Sequence, residues 1–306
     1  MPELDAVRLN FSPQSLLLLN ITLGVIMFGV ALNLTVEDFR RLARHPRPAL
    51  VGVCSQFLLL PAVTFLLVWV LQPPPSIALG MILVAACPGG NISNFMALNA
   101  GGNTALSVTL TAVATVGAIV FTPLNLSFWA GLYGPAASIL TTVDVSFGRV
   151  VRIVTLILGV PLVLGMTVRR LAPARARQLS RWMQGLSILL FAGIVLFALR
   201  ANFEYLVGYL GVVFDLVLIH NAAALAAGYQ FAYWTNLPTG DRQTLALETG
   251  IQNAGLGLIL IFNFFDGLGG MAVVVAWWGV WHIVSGLALS FYWRSRPVPI
   301  PALRLP

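Results

Sequence analysis

The sequence predicts an all-α polytopic membrane protein, and three observations carry that prediction. Of its 306 residues, 58% are hydrophobic and only 9% are charged, against about 25% charged in a soluble domain. Apolar windows of about 18 residues or more, long enough to cross a bilayer, recur along the chain. The 17 basic residues are all arginines and gather in alternate connections between those windows. A net charge of +7 has the sign that nucleic acid would require, but one-sided placement of arginine accounts for it without a nucleic-acid partner.

In chain order the windows fall near 14–35, 47–71, 76–100 and 103–127, then 148–170, 180–200, 206–234, 241–265 and 269–293, about nine spans in all. The connection after the first carries Arg40, Arg41, Arg44 and Arg47; the one after the fifth, a basic linker over 169–181, carries Arg169, Arg170, Arg175, Arg177 and Arg181. Arg242 precedes the eighth, and Arg294, Arg296 and Arg304 follow the ninth. With nine spans and the N-terminus outside, all of these lie in the cytoplasm, leaving Arg8, Arg149, Arg152 and Arg200 outside. The expectation is a multi-pass protein of the inner (cell) membrane with a cytoplasmic C-terminus. The start lacks the basic region and small-residue cleavage site of a signal peptide. The connection 128–147, with Trp129, Tyr133 and Asp144, is either an interfacial segment anchored by aromatics or a loop. Cys54 and Cys87 sit in apolar runs and read as buried free thiols.

Two spans are interrupted. The third contains Pro88-Gly89-Gly90-Asn91-Ile92-Ser93-Asn94 and so reads as two half-helices; the eighth contains Glu248-Thr249-Gly250-Ile251-Gln252-Asn253-Ala254-Gly255. Irregular backbone at membrane depth survives only against protein or a cavity. Broken spans in both halves of a chain are the best pattern-level pointer to a binding site for a translocated solute.

Glu248 is the most informative residue. A carboxylate near the bilayer centre costs about 2.5–3.5 kcal/mol on insertion scales, so it must be protonated, paired or bound to a cation. Its span holds no arginine beyond Arg242 at one end, whereas Thr249, Gln252 and Asn253 bring oxygen nearby. Carboxylate, amide, hydroxyl and free helix-end carbonyl oxygens suit a hard cation. In the first half Ser93 and Asn94 follow the break, and Ser107, Thr111 and Thr115 align on one helix face. Such a stripe also serves helix packing; beside a broken helix and an intramembrane carboxylate, ligation is the favoured reading. Half-helix N-termini favour an anion, making Asn91 and Asn253 candidates for contacting a substrate carboxylate, with helix capping as the alternative for each. Gln56 is a lone amide suited to an interhelical hydrogen bond. His220 and His282 read as packing residues, and Asp215 stays open between packing and a proton path.

The segments CPGGNISN, GNTALSVTLTAV and ETGIQNAGL together resemble the bile acid:sodium symporter family, over about residues 15 to 293. The resemblance implies an inverted-repeat transporter with two broken, crossing helices, divided into a core (about 47–127 and 206–293) and a panel (about 14–35 and 148–200). Bacterial members usually have ten helices in two inverted repeats of five. Here the first span, LGVIMFGVALNLTVEDF, resembles the family's second helix, so spans one to four would repeat, inverted, as six to nine. The resemblance further implies two sodium ions. Ser93, Asn94, Ser107, Thr111 and Glu248 would hold one; Gln56, Glu248 and Gln252, with backbone oxygens of Thr249 and Ile251, would hold the other. The position after Pro-Gly-Gly is often threonine in the family and is Asn91 here, which bears on substrate choice. The implied activity is sodium-coupled import of a small organic anion, bile acid-like or a hydroxy or keto acid, by alternating access, with membrane lipid as the surroundings and no obligate protein partner evident.

Other readings compete. Glu248 could carry a proton instead of binding sodium. Arsenite-exporting relatives are similar in relying on a cysteine, which Cys87 matches faintly. An intramembrane enzyme would need a nucleophile–base or metal constellation, and the sequence holds no His-Glu-x-x-His and no Gly-x-Ser-x-Gly. A channel fits poorly with an occluded site bridged by one carboxylate.

Overall fold

The computed structural model describes residues 5, 8–9, 13–44, 46–143, 147–201 and 203–296. Asp144 and Arg304 lie outside the described residues, as do the side chains of Arg41 and Arg200. The chain is all-α: α1 (Pro13–Ala31), a short α2 (Val36–Arg44), α3 (Pro46–Leu71), half-helices α4a (Pro75–Ala86) and α4b (Ile92–Asn99), and α5 (Thr104–Leu132). Then come α6 (Gly134–Val143), α7 (Phe147–Leu171), α8 (Pro173–Ala201), α9 (Phe203–Trp234), half-helices α10a (Thr239–Gly250) and α10b (Ala254–Phe264), and α11 (Gly269–Arg294). Among the described residues α3, α5, α7 and α11 are each long and apolar enough to cross a membrane alone. The half-helices are not: at 12 and 8 residues, and at 12 and 11, each pair reaches about 30 Å only when both halves are counted at about 1.5 Å per residue.

Local chemistry explains the irregularities. Pro61 and Pro161 lack the N–H that would bond the carbonyl four residues back, and their rings crowd that carbonyl. The preceding turn widens in both helices: Ser55–Leu59 and Thr155–Gly159 are π turns, closed by Leu60 N–H to Ser55 O and Val160 N–H to Thr155 O. Gln56 sits inside the first. At the start of α2 the Asp38 carboxylate accepts from both Thr35 N–H (2.8 Å) and Thr35 Oγ1 (2.7 Å), satisfying a backbone donor that the helix start leaves free. Asp5 does the same service for α4a, accepting from Ser76 N–H at 2.8 Å.

One open reading is narrowed and one expectation corrected. Over 128–143 the connection is helical and not a loop: α5 continues to Leu132, Tyr133 turns extended, and Gly134-Pro135 restarts a helix, since proline suits a first turn. Trp129 there donates to Asn125 Oδ1 at 3.0 Å and packs on Phe65 and Phe128. Nor is 169–181 a linker. Only Ala172 separates α7 from α8, which begins on Pro173, so Arg175, Arg177 and Arg181 belong to the first turns of a helix.

The interior is built on the broken helices. Every residue from Ser76 to Ala86 and from Ala254 to Phe262 is buried, as fits helices that are apolar all round. α4a packs against α11, α5 and α3, and α9 packs along α10a and α11. α1 instead packs mainly with α7 and α8.

Candidate functional site

The two breaks meet and complete each other. Gly89 and Gln252 form an antiparallel bridge, Gly90 N–H donates to Ile251 O (2.8 Å) and Asn253 N–H donates to Pro88 O (2.8 Å). Peptide groups orphaned by the broken helices thus find partners without water, as hydrocarbon surroundings require. Glycine is what permits the approach. A Cβ on Gly90 would lie 3.1 Å from Gln252 O, and one on Gly89 would lie 3.3 Å from Glu248 Oε2 and 3.7 Å from Gln56 Oε1.

Around this crossing the expected side chains come together in two groups. In the first, Glu248, on the last turn of α10a and 5% exposed, is surrounded by hydroxyls. Ser93 from the first turn of α4b and Ser107 from α5 donate to its Oε1, and Thr111 donates to Oε2 at 3.1 Å. Thr111 also reaches Asn94 Oδ1 at 3.3 Å. Among the described residues no cationic side chain contacts the carboxylate. The stripe of three hydroxyls on α5 is therefore not uniform: Ser107 and Thr111 reach Glu248, with Thr111 also bonding back to Ser107 O at 3.0 Å, whereas Thr115 bonds back to Thr111 O at 2.8 Å.

In the second group Gln56 and Gln252 exchange amide hydrogen bonds, Gln56 Nε2 to Gln252 Oε1 at 2.8 Å and Gln252 Nε2 to Gln56 Oε1 at 3.3 Å. Their remaining N–H groups go to Cys87 O (3.0 Å) and Thr249 O (2.8 Å). A cavity of about 10 Å³ between α3 and α5 touches both Gln56 and Glu248, room for about one water-sized guest. Only hydroxyl, amide, carboxylate and backbone oxygens converge here. An all-oxygen donor set of this kind suits a hard cation.

The two asparagines behave differently. Asn253 Oδ1 caps α10b by accepting from Leu256 N–H at 3.0 Å, and its amide nitrogen points at Met27 Sδ of α1, 4.0 Å away. Asn91 begins α4b without a side-chain cap bond. Capping thus explains part of Asn253 and none of Asn91.

Several supporting residues were missed in the sequence. Asn221 of α9, fully buried, donates to Gly250 O at 2.8 Å, and Ser285 of α11 donates to Asn221 Oδ1 at 2.5 Å. The end of α10a is thereby clamped from behind. Ser55 pairs with Thr249 through their hydroxyls at 2.7 Å, and Asn103 ties the start of α5 to Asp241 at 2.8 Å. The available signal was an amide in the apolar stretch VLIHNAAAL, costly at that depth by the same argument that singled out Glu248. His220 is a packing residue, bonded through Nε2 to Thr64 Oγ1 (2.7 Å) and set against Trp278. His282 is also buried, Asp215 is exposed on α9, and the two cysteines are free, Cys87 buried and Cys54 partly so.

Similarity to known proteins points to one family. The model of the sodium bile acid symporter family matches residues 20–209. The chain is 34% identical over 278 residues to the uncharacterized sodium-dependent transporter YocS of Bacillus subtilis, covering 91% of this chain and 83% of that one. It is 31% identical over 282 residues to the probable chloroplastic sodium/metabolite cotransporter BASS2 of Oryza sativa, covering 92% and 65%. To the rat sodium/bile acid cotransporter 5 it is 30% identical over 259 residues, covering 84% and 58%. The chain therefore spans less than two thirds of the rice and rat relatives.

Proposed function

The chain belongs to the sodium bile acid symporter family, and from that premise we propose that it is a sodium-coupled symporter importing a small organic anion by alternating access. Membership makes it a transport protein, not an enzyme. The observation that carries the proposal is the environment of Glu248: a buried carboxylate held by three hydroxyls from two elements of the first half of the chain, with no cationic side chain against it among the described residues.

Ser93, Asn94, Ser107, Thr111 and Glu248 would receive one sodium ion. Gln56, Gln252, Glu248 and the backbone oxygens of Thr249 and Ile251 would receive the other, with Glu248 shared. Each hydroxyl now donating to the carboxylate can turn its hydrogen away and present a lone pair, so exchanging hydrogen bonds for ligation needs no backbone movement. The substrate anion would meet the N-terminal ends of α4b and α10b, where helix dipoles and free N–H groups favour negative charge, with Asn91 and the amide nitrogen of Asn253 as direct contacts. The approach of Asn253 to Met27 supports a site that forms where the crossing faces α1. α1, α7 and α8 would be the panel and the remaining long helices the core, with the N-terminus outside. Two sodium ions with a monoanion would carry one net charge inward, worth about 2.3 kcal/mol per 100 mV.

The test is thermal unfolding of the purified protein in sodium against potassium at equal ionic strength, for wild type and Glu248→Ala. A ligand that binds only the folded state raises stability with concentration. Stabilisation by sodium alone, lost in the variant, is the expected result. Equal responses to the two ions would overturn sodium coupling, and uptake driven by a pH gradient instead would make Glu248 a proton carrier.

A further inference from the structure

Far from the crossing, a second feature of the fold has a ligand chemistry of its own. A cavity of about 760 Å³ lies between the start of α2 and the end of α7, and Arg40, Arg169 and Arg170 stand at its rim. Their countercharges are few. Glu37 is 3.7 Å from Arg40 but only 2.8 Å from Arg44, which is its closer partner. Among the described residues Arg169 reaches the carbonyl of Pro173, at 3.4 Å, and no carboxylate. The cavity therefore presents guanidinium donors in excess of acceptors.

Its other wall is apolar and continues down the helix. Val160, Val163, Thr167 and Arg170 follow one another at spacings of three, four and three, which places them on one face of α7. Val160 is 45% and Val163 63% exposed, with Leu164 beside them at 55%. One face thus runs from exposed aliphatic side chains, through a hydroxyl, to an arginine cluster at the helix end. This order matches a phospholipid: acyl chain along the aliphatic residues, phosphate among the arginines. A free phosphate would use only the upper part, and a zwitterionic lipid would bring its own cation to an already cationic rim.

We propose that the groove between α2 and α7 is a binding site for an anionic phospholipid, with Arg40 and Arg170 as the main phosphate contacts and the Val160–Val163 face as the acyl-chain bed. Basic pockets between membrane helices are suited to such headgroups. Because α2 joins α1 to α3, an occupied groove would hold that connection against α7.

Thermal unfolding of the full-length protein in neutral detergent tests this, with phosphatidylglycerol, phosphatidylcholine of the same acyl chains, or inorganic phosphate added. Each shift is read against the same variant's lipid-free baseline. Phosphatidylglycerol should raise the midpoint by several degrees, and Arg40→Gln/Arg170→Gln should lose at least half of that shift. Arg294→Gln/Arg296→Gln, which removes two arginines elsewhere, should keep it. The proposal is overturned if phosphatidylcholine or inorganic phosphate gives the same shift, or if the distant double variant loses as much as the groove variant.

Discussion

The two sides of the helix crossing use different chemistry for what we propose is the same task. On the Glu248 side the carboxylate's partners are all hydroxyls, and each donates to it. On the Gln56 side two amides satisfy each other and two carbonyls in a closed set. A hydroxyl can rotate between donating and accepting, whereas an amide has its oxygen and nitrogen fixed on opposite sides of one carbon. Opening the carboxylate side to a cation needs only hydroxyl rotation and gains a countercharge. Opening the amide side breaks the exchanged pair and has no charge of its own beyond Glu248. For the proposed two-sodium site the difference implies an order: the Glu248 side would bind first and more tightly, and the Gln56 side would fill only when Glu248 is already engaged.

The sharpest way to break this comparison is Glu248→Gln, because both sides share that residue. Sodium stabilisation should vanish altogether, a loss of about 2.7 kcal/mol for each site that wild type fills at a hundred times its dissociation constant. The potassium baseline should not fall, since the change removes a buried charge that no cationic side chain offsets. Any sodium response surviving at half its size or more would show that the two sides do not depend on one carboxylate.

Gln56→Ala separates them. It removes one partner of the amide pair and leaves the hydroxyl side whole, so sodium binding measured by titration should persist with its cooperativity lost, the Hill coefficient falling from near two to near one. An unfilled amide costs about 1–3 kcal/mol, so the stability baseline should drop by a similar amount. A variant that instead loses sodium binding entirely would reverse the order argued above.

Asn221→Ala reaches the amide side without touching it. The carbonyl of Gly250 loses its donor, and an unsatisfied buried acceptor costs about 1–3 kcal/mol. The free end of α10a then positions Thr249 and Ile251 less firmly, and the half-saturating sodium concentration should rise severalfold. Ser285→Ala, which removes only the bond that orients the amide, should do the same more weakly. An Asn221→Ala protein less stable but with unchanged sodium affinity would make the clamp purely structural.

How far these features were legible in the sequence depends on distance. The breaks, Glu248 and the serines and threonines near each break were readable, because glycine, proline and polar groups within apolar spans mark themselves by their cost. That Glu248 would meet Ser93 and Ser107, 155 and 141 positions away, rested on family resemblance and not on spacing. The amide exchange between Gln56 and Gln252, 196 positions apart, had no local signal at all. The helical content of 169–181 was hidden by its charge: five arginines mimic a solvated linker, while Pro173, a good first-turn residue, carried the contrary information.

The finest test concerns one turn of α5. Ser107, Thr111 and Thr115 are equivalent in sequence, three hydroxyls at equal spacing on one face. The structure divides them, since Thr111 donates to Glu248 whereas Thr115 donates only to Thr111 O. Thr115 is equally buried, so burial does not distinguish the two. Valine has nearly the shape of threonine without the hydroxyl, and Thr115 N–H can still reach the carbonyl of Thr111 as part of the helix. Thr115→Val should therefore lower stability by no more than about 1 kcal/mol, the net worth of one neutral hydrogen bond, and leave sodium titration untouched. Thr111→Val, one turn away, should raise the half-saturating sodium concentration about tenfold, the scale of one lost hydrogen-bond partner at a charged group. If the two variants behave alike, the stripe acts as a packing surface for neighbouring helices. The hydroxyl side would then differ from the amide side only in geometry, and the order of binding inferred from its chemistry would fall.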